Sequence, residues 1–271
     1  MRDRMPLRLL LSASMIAIAA ISLGGCASLP GRDVTGSIAS ASPAPQSEAD
    51  WRKVIEVDGP RFRANPKDTA VALRYGQALR ATGQRAQSAA VLEQAAIANP
   101  GERTLLAAYG RALVDNGNYQ QGFDTLTRAH TPDNPDGHIL SVQGTALDRL
   151  GRNEEARRYY THALKIRPDE PTVLSNLGMS YVLSKQLPQA EEALRRAHGA
   201  APSDARVTQN LALVIGLQGR AAEAETIVSA GLPPQEASES IEGLRAMLRN
   251  GNARSSGGSK QRAEIRAPAR S

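Results

Sequence analysis

The sequence predicts an all-α fold, a superhelical solenoid of about five helix pairs closed by a C-terminal capping helix. Three observations lead there. Glycine recurs at Gly76, Gly110, Gly144 and Gly178, each 34 residues after the last, and Ala212 continues the series. Three further series keep the same phase. They are Pro66, Pro100, Pro168 and Pro202; Gly83, Gly117, Gly151 and Gly219; and Ala95, Ala129, Ala163 and Ala197. The composition agrees, since aromatics are only 3% and alanine dominates the apolar set. Such residues suit close helix-on-helix packing and suit a sheet poorly, because strands favour β-branched and aromatic side chains.

Each repeat reads as a pair of helices. Tyr75-Gly76, Tyr109-Gly110 and Leu177-Gly178 set a large apolar side chain beside a residue with none, so that a second helix can approach. Leu79, Leu113, Leu147 and Tyr181 follow three residues later on the same face. The turn comes next, with glycine supplying the left-handed helix end at Gly83, Gly117 and Gly151. The second helix carries Leu92, Leu126, Tyr160 and Leu194, and proline stops it. Pro132 is expected to end the second helix of the second repeat early, and Gly231-Leu232-Pro233-Pro234 to cut the fifth repeat short. Residues 235–250 read as the capping helix, with Ile241, Leu244 and Leu248 at helical spacing. Residues 48–64 read as an extra helix anchored by Trp51, Val54, Ile55 and Phe62, with Gly59-Pro60 expected to interrupt it.

A 34-residue helix-pair repeat is the length of the tetratricopeptide (TPR) family, and these segments resemble it over 69–102, 103–136, 137–170, 171–204 and 205–238. One departure is at the fourth position. There Ala72, Leu106, Leu140, Leu174 and Thr208 replace the usual bulky aromatic.

The N-terminus reads as an address. Three arginines lie in the first eight residues, and residues 9–23 form an unbroken run of apolar and small side chains. The run is short for a membrane span and suits the core of a secretory signal, here residues 1–25. It ends in Leu23-Gly24-Gly25-Cys26, which resembles the bacterial lipobox, in which the cysteine is acylated and becomes the first mature residue. The competing reading is an ordinary cleaved signal with an incidental Cys26. Lipidation is favoured because the chain's single cysteine falls where a lipobox requires it. Ala27 rather than aspartate after Cys26 resembles the pattern for outer-membrane delivery. Residues 26–47 read as the lipidated cysteine and a flexible tether rich in Ser, Ala, Gly and Pro, with a reach of roughly 25 Å.

The net charge of +6 belongs to the ends. Residues 249–271 carry +5 and the first eight carry +2, leaving −1 for the rest. The basic isoelectric point therefore gives no licence for nucleic-acid binding. Residues 251–271 read as a basic, disordered tail.

No nucleophile elbow, phosphate loop or dinucleotide fingerprint is present, and the four histidines stand at no metal-ligand spacing. The expectation is a binding protein without catalytic residues, metal, cofactor or small-molecule substrate. In the TPR family a concave groove is lined by repeat positions two, five, nine, twelve and thirteen. Carried onto this chain, the resemblance implies a groove of Arg111 and Asp115, then His138, Ser141, Thr145, Asp148 and Arg149. Ser175, Met179 and Leu183 follow, then Arg206, Gln209 and Leu213. Asn176 and Asn210 recur at position six, where chaperone-binding TPRs clamp a peptide carboxylate. The lysines of that clamp are missing, so local hydrogen bonding is the favoured role.

Several words are more specific. Leu174-Ser175-Asn176-Leu177-Gly178-Met179-Ser180-Tyr181, the stretch 209–220, Leu244-Arg245-Ala246-Met247-Leu248, the linker at 131–136 and DVTGSI at 33–38 resemble the TadD lipoproteins of α-proteobacteria. Membership would imply a lipid-anchored, pilotin-like scaffold at the outer membrane. It would serve the Tad (Flp, type IVc) pilus machine, with the secretin or another Tad component as protein partner. The alternative is an envelope TPR lipoprotein that scaffolds cell-wall enzymes or outer-membrane protein insertion.

Overall fold

The computed structural model describes residues 47–265, with side chains through Arg249. The signal segment, Cys26 and nearly all of the tether lie outside the described residues.

Five helix pairs follow one another. The first helices are α2 (Thr69–Ala81), α4 (Arg103–Asp115), α6 (Gly137–Arg149), α8 (Pro171–Leu183) and α10 (Ala205–Leu217), preceded by α1 (Glu48–Ala64). The second helices are α3 (Arg85–Ala98), α5 (Tyr119–Thr127), α7 (Asn153–Ile166), α9 (Leu187–Ala200) and α11 (Ala221–Gly231). The last element is α12 (Pro234–Ile265). Every first helix begins on the first residue of its repeat.

An acidic residue stands just before each of those starts: Asp68, Glu102, Asp136, Glu170 and Asp204. The carboxylates of Asp68, Glu102, Asp136 and Asp204 accept hydrogen bonds from the first backbone N–H groups of their helices. This satisfies donors that the helix itself cannot use and places negative charge at the positive dipole end.

Helix pairing rests on the glycine series. A Cβ on Gly76, Gly110, Gly144 or Gly178 would lie 2.6–2.7 Å from Leu92, Leu126, Tyr160 or Leu194. These four large residues are essentially buried. In the fifth repeat the geometry trades size, because Ala212 faces the core together with the smaller Val228. The Ser88 hydroxyl donates to the Gly76 carbonyl at 2.8 Å, a polar version of the same close approach.

Successive first helices touch: α2 with α4, α4 with α6, α6 with α8 and α8 with α10. The backbones of successive second helices stand farther apart and, among the described residues, are bridged only by long side chains. The first helices therefore take the tighter, inner side of the curve and form its concave face.

Two departures from the sequence reading have physical causes. Helix α1 runs through Gly59-Pro60 without interruption. Proline forfeits one backbone bond, but the helix is held from outside. Gly59 is buried, with space for a Cβ only 3.4 Å from the Tyr75 hydroxyl, and buried Asp58 pairs with Arg74 through two 2.8 Å bonds. Helix α12 continues to Ile265, so residues 251–265 are helical where a disordered tail was expected. No proline falls between Pro234 and Pro268, and the stretch carries several helix-favouring Ala, Arg, Lys, Gln and Glu residues. The turn position of the glycine series is filled in repeat four by Lys185, which adopts φ 58°.

The early end of α5 matches expectation. The chain then turns through Thr131–Asn134, held by an isolated bridge. Buried Gln143 pins this segment, donating to Thr127 at 3.0 Å and contacting His130 Nε2 at 3.1 Å.

Candidate functional site

The concave face carries the proposed groove residues, and the structure divides them into two groups. One group is engaged in tying repeats together. Asn176 Nδ2 donates to Ser141 Oγ at 3.4 Å, and Asn210 Nδ2 donates to Ser175 Oγ at 2.9 Å. Each asparagine thus reaches back to the preceding repeat, and both serines are buried. The asparagines act as local hydrogen-bonding residues.

Asp148 belongs to the same group. Its carboxylate accepts from Tyr160 Oη at 3.0 Å and from Ser180 Oγ at 2.8 Å. Thr145 completes the cluster, donating to the Ser141 carbonyl at 3.1 Å. Desolvation raises the Asp148 pKa above the usual carboxylate value; the hydrogen bonds from Ser180 and Tyr160 and the charges of Arg157 and Arg149 oppose it in part. Burial and the same carboxylate push the Tyr160 phenol upward, so it stays protonated and donates.

The second group faces outward. On α4, Asp115 pairs with Arg80 of α2 at 3.4 Å. Arg111 and Arg149 make no ion pair among the described residues. The Arg111 guanidinium is crowded by protein atoms although the residue keeps contact with solvent. Desolvation first, and then Arg80, push its pKa down, while Asp115 acts the other way. Two guanidinium groups thus share one carboxylate, leaving positive charge on the N-terminal half of the face.

The C-terminal half is apolar. Met179 and Leu213 are half-buried, and Leu183 is 58% exposed. Leu217 repeats the Leu183 position 34 residues on and is 43% exposed. A cleft of about 400 Å³ opens between α10 and α12, lined in part by Gln209, Asn210, Leu213, Gly243, Leu244 and Met247. Gln209 reaches across to α12, donating to Ser240 at 2.8 Å. Met247 of α12 is 62% exposed.

Two assigned residues stand apart from this arrangement. His138 is exposed and contacts Arg167 at the end of α7. Arg206 is exposed at the start of α10, with no side-chain partner among the described residues.

Sequence reasoning passed over Arg80, Leu217 and Met247. The signal for the first two was their register, at positions twelve and thirteen of repeats one and five. Met247 has no such signal, because α12 lies outside the repeat.

Two family descriptions match the chain, both as tetratricopeptide repeat, over residues 54–178 and 149–214. A search among curated proteins finds no relative. Among solved structures, the type IV pilus biogenesis factor PilW superposes with a TM-score of 0.63 at 18% identity, over 72% of this chain and 91% of that one. The Cut9 and Hcn1 assembly of the APC/C gives 0.58 at 17% identity, over 74% and 44%. The human IFIT1 dimer gives 0.57 at 15% identity, over 68% and 46%. At such identities these likenesses speak to fold alone. The repeat register, the stacked helix pairs and the family matches converge: the chain belongs to the tetratricopeptide-repeat proteins.

Proposed function

We propose that this chain is a non-catalytic, lipid-anchored scaffold that serves assembly of the Tad (Flp) pilus machine at the outer membrane. In this reading it acts on the secretin or another Tad component in the manner of a pilotin. The observation that carries the binding part is the division of the concave face. Arg80, Arg111 and Arg149 line one half; Met179, Leu183, Leu213, Leu217 and Met247 line the other. A partner segment with acidic residues at one end and large apolar ones at the other complements both halves. Support for the pilus setting comes from the TadD-like segments at 174–181, 209–220 and 244–248. The solenoid shared with PilW, itself a type IV pilus biogenesis factor, adds to it. Support for the anchor comes from Cys26 in its lipobox-like context. Anchoring raises the local concentration of any bound partner at the bilayer.

The test is co-purification of the secretin with wild-type protein and with a variant carrying Arg111→Glu, Arg149→Glu and Met179→Asp. The variant is expected to lose the secretin at least about tenfold, since several contacts of order 1 kcal/mol are removed together. Equal retention by both proteins removes the groove from the mechanism. For the anchor, Cys26→Ser is expected to abolish labelling by a palmitate analogue and membrane fractionation. Persistent labelling refutes lipidation at that residue.

A further inference from the structure

The outer side of the solenoid has seams between successive second helices, and most are bridged. Phe123 of α5 meets Tyr159 of α7 edge-on at 5.6 Å, with Arg152 over the Phe123 ring. Arg157 of α7 reaches Ser184, in the turn before α9, at 2.9 Å. Arg195 and Arg220 join Glu191 of α9 to Glu223 of α11. Between α3 and α5 no ion pair or ring contact crosses among the described residues. A cleft of about 800 Å³ lies there instead. Its floor includes Ala96, Leu106 and Tyr109. Along its wall, the Tyr109 hydroxyl donates to Glu93 at 2.9 Å and accepts from Gln121 at 3.1 Å.

Ile97 lines this cleft and is 73% exposed, more than any other large apolar side chain described. Repeat packing does not call for it. The same position in later repeats holds Thr131, Lys165, Gly199 and Pro233. The rim carries the carboxylates of Glu93 and Asp124 against the single guanidinium of Arg128. None of the three makes an ion pair among the described residues, although Asp124 lies within electrostatic range of Arg152. An apolar floor with an exposed aliphatic side chain and a net negative rim complements one chemistry: an apolar side chain flanked by cations.

We infer that the α3–α5 cleft is a second protein-docking site, separate from the concave groove. Its occupant is a partner segment that presents a large apolar side chain flanked by lysine or arginine. The apolar side chain packs on Ile97, Ala96 and Leu106, and the flanking cations meet Glu93 and Asp124.

Two fluorescein-labelled peptides with the same leucine core test this, one flanked by lysines and the other by glutamates. Fluorescence anisotropy is measured against the full-length protein. The lysine peptide is expected to bind saturably and at least about tenfold tighter than the glutamate peptide. Ile97→Asp is expected to lower its affinity about tenfold. The double variant Glu93→Lys, Asp124→Lys is expected to reverse the preference. Arg111→Glu, on the concave face, is expected to leave binding unchanged, which separates this site from the groove. Ile97 is mostly exposed, so an unaltered thermal melt accompanies its variant. The inference falls if no saturable binding occurs, if both peptides bind equally, or if Ile97→Asp has no effect. It falls equally if the charge reversal does not change the preference, or if Arg111→Glu abolishes binding.

Discussion

At the residue scale, two positions show how the repeat tolerates exceptions. Lys185 occupies a turn where other repeats place glycine, and it adopts φ 58°. A left-handed conformation costs a residue with a Cβ about 1–2 kcal/mol, part of which glycine returns as extra freedom in the unfolded chain. Lys185→Gly is therefore expected to raise stability by about 0.5–1 kcal/mol, read as a higher midpoint in urea with an unchanged slope. A destabilised variant would mean that the lysine side chain makes a contact outweighing its backbone strain. The second exception is Ala212 with Val228. Where glycine faces leucine or tyrosine in other repeats, alanine here shares the core with valine. Val228→Leu is expected to cost about 1–3 kcal/mol through overpacking, and Ala212→Gly in the same chain is expected to recover part of it. In the third repeat, Gly144→Ala drives a methyl to within 2.6 Å of the Tyr160 ring, which also holds Asp148 by a hydrogen bond. A cost of about 1–3 kcal/mol is expected there too, measured by denaturant titration.

At the element scale, bonds between neighbouring repeats decide what a single helix can contribute. Glu191 of α9 accepts from Arg195, Gln218 and Arg220, and Glu223 of α11 accepts from Arg195 and Arg220. Burial alone would raise the Glu191 pKa, but the donors outweigh it and hold it below the usual value; the same arginines lower that of Glu223. Both carboxylates bind protons more weakly folded than unfolded. Their contribution is present above the unfolded value of about 4.3 and drains as pH falls through the lower folded values. The melting temperature of Glu191→Gln is thus expected to lie below wild type near neutrality and to converge with it in acid. A difference that persists in acid would assign the loss to packing instead. The same dependence on neighbours set the limit of legibility in the sequence. Helix starts, the pairing face and the early end of α5 follow from residues within one repeat, and all were readable. The engagement of Asp148 by Ser180 was not, because its partner lies 32 residues away on the next first helix. Nor was the continuity of α1 through Pro60, which depends on Asp58 meeting Arg74 in another helix. The acidic residue standing just before every repeat was a further readable signal of the helix starts.

At the scale of the whole molecule, each helix packs only on elements of its own or the adjoining repeat, apart from the ends. Stability in such an array is close to a sum of repeat and nearest-neighbour terms, so damage stays local. The C-terminal end tests this most directly. Leu211, Ala212, Val214, Ile215, Ala224 and Val228 form one buried cluster, which Leu232, Ala237 and Leu244 complete, with Ile241 and Leu248 packed against it. Four of the completing residues lie on α12, and Gly216 of α10 has space for a Cβ only 3.0 Å from Leu248. Truncation after Pro233 removes this cover and bares an apolar face that no other described element can reach. Hydrogen exchange is expected to accelerate throughout α10 and α11, with a smaller rise in α8 and α9. Protection in α2, α4 and α6 should stay at its wild-type level, because their neighbours are untouched. Uniform loss of protection along the chain would instead show a single cooperative unit. In that case the concave groove would depend on α12 as a whole, and not only through the cleft that Leu213, Leu244 and Met247 line at its C-terminal end.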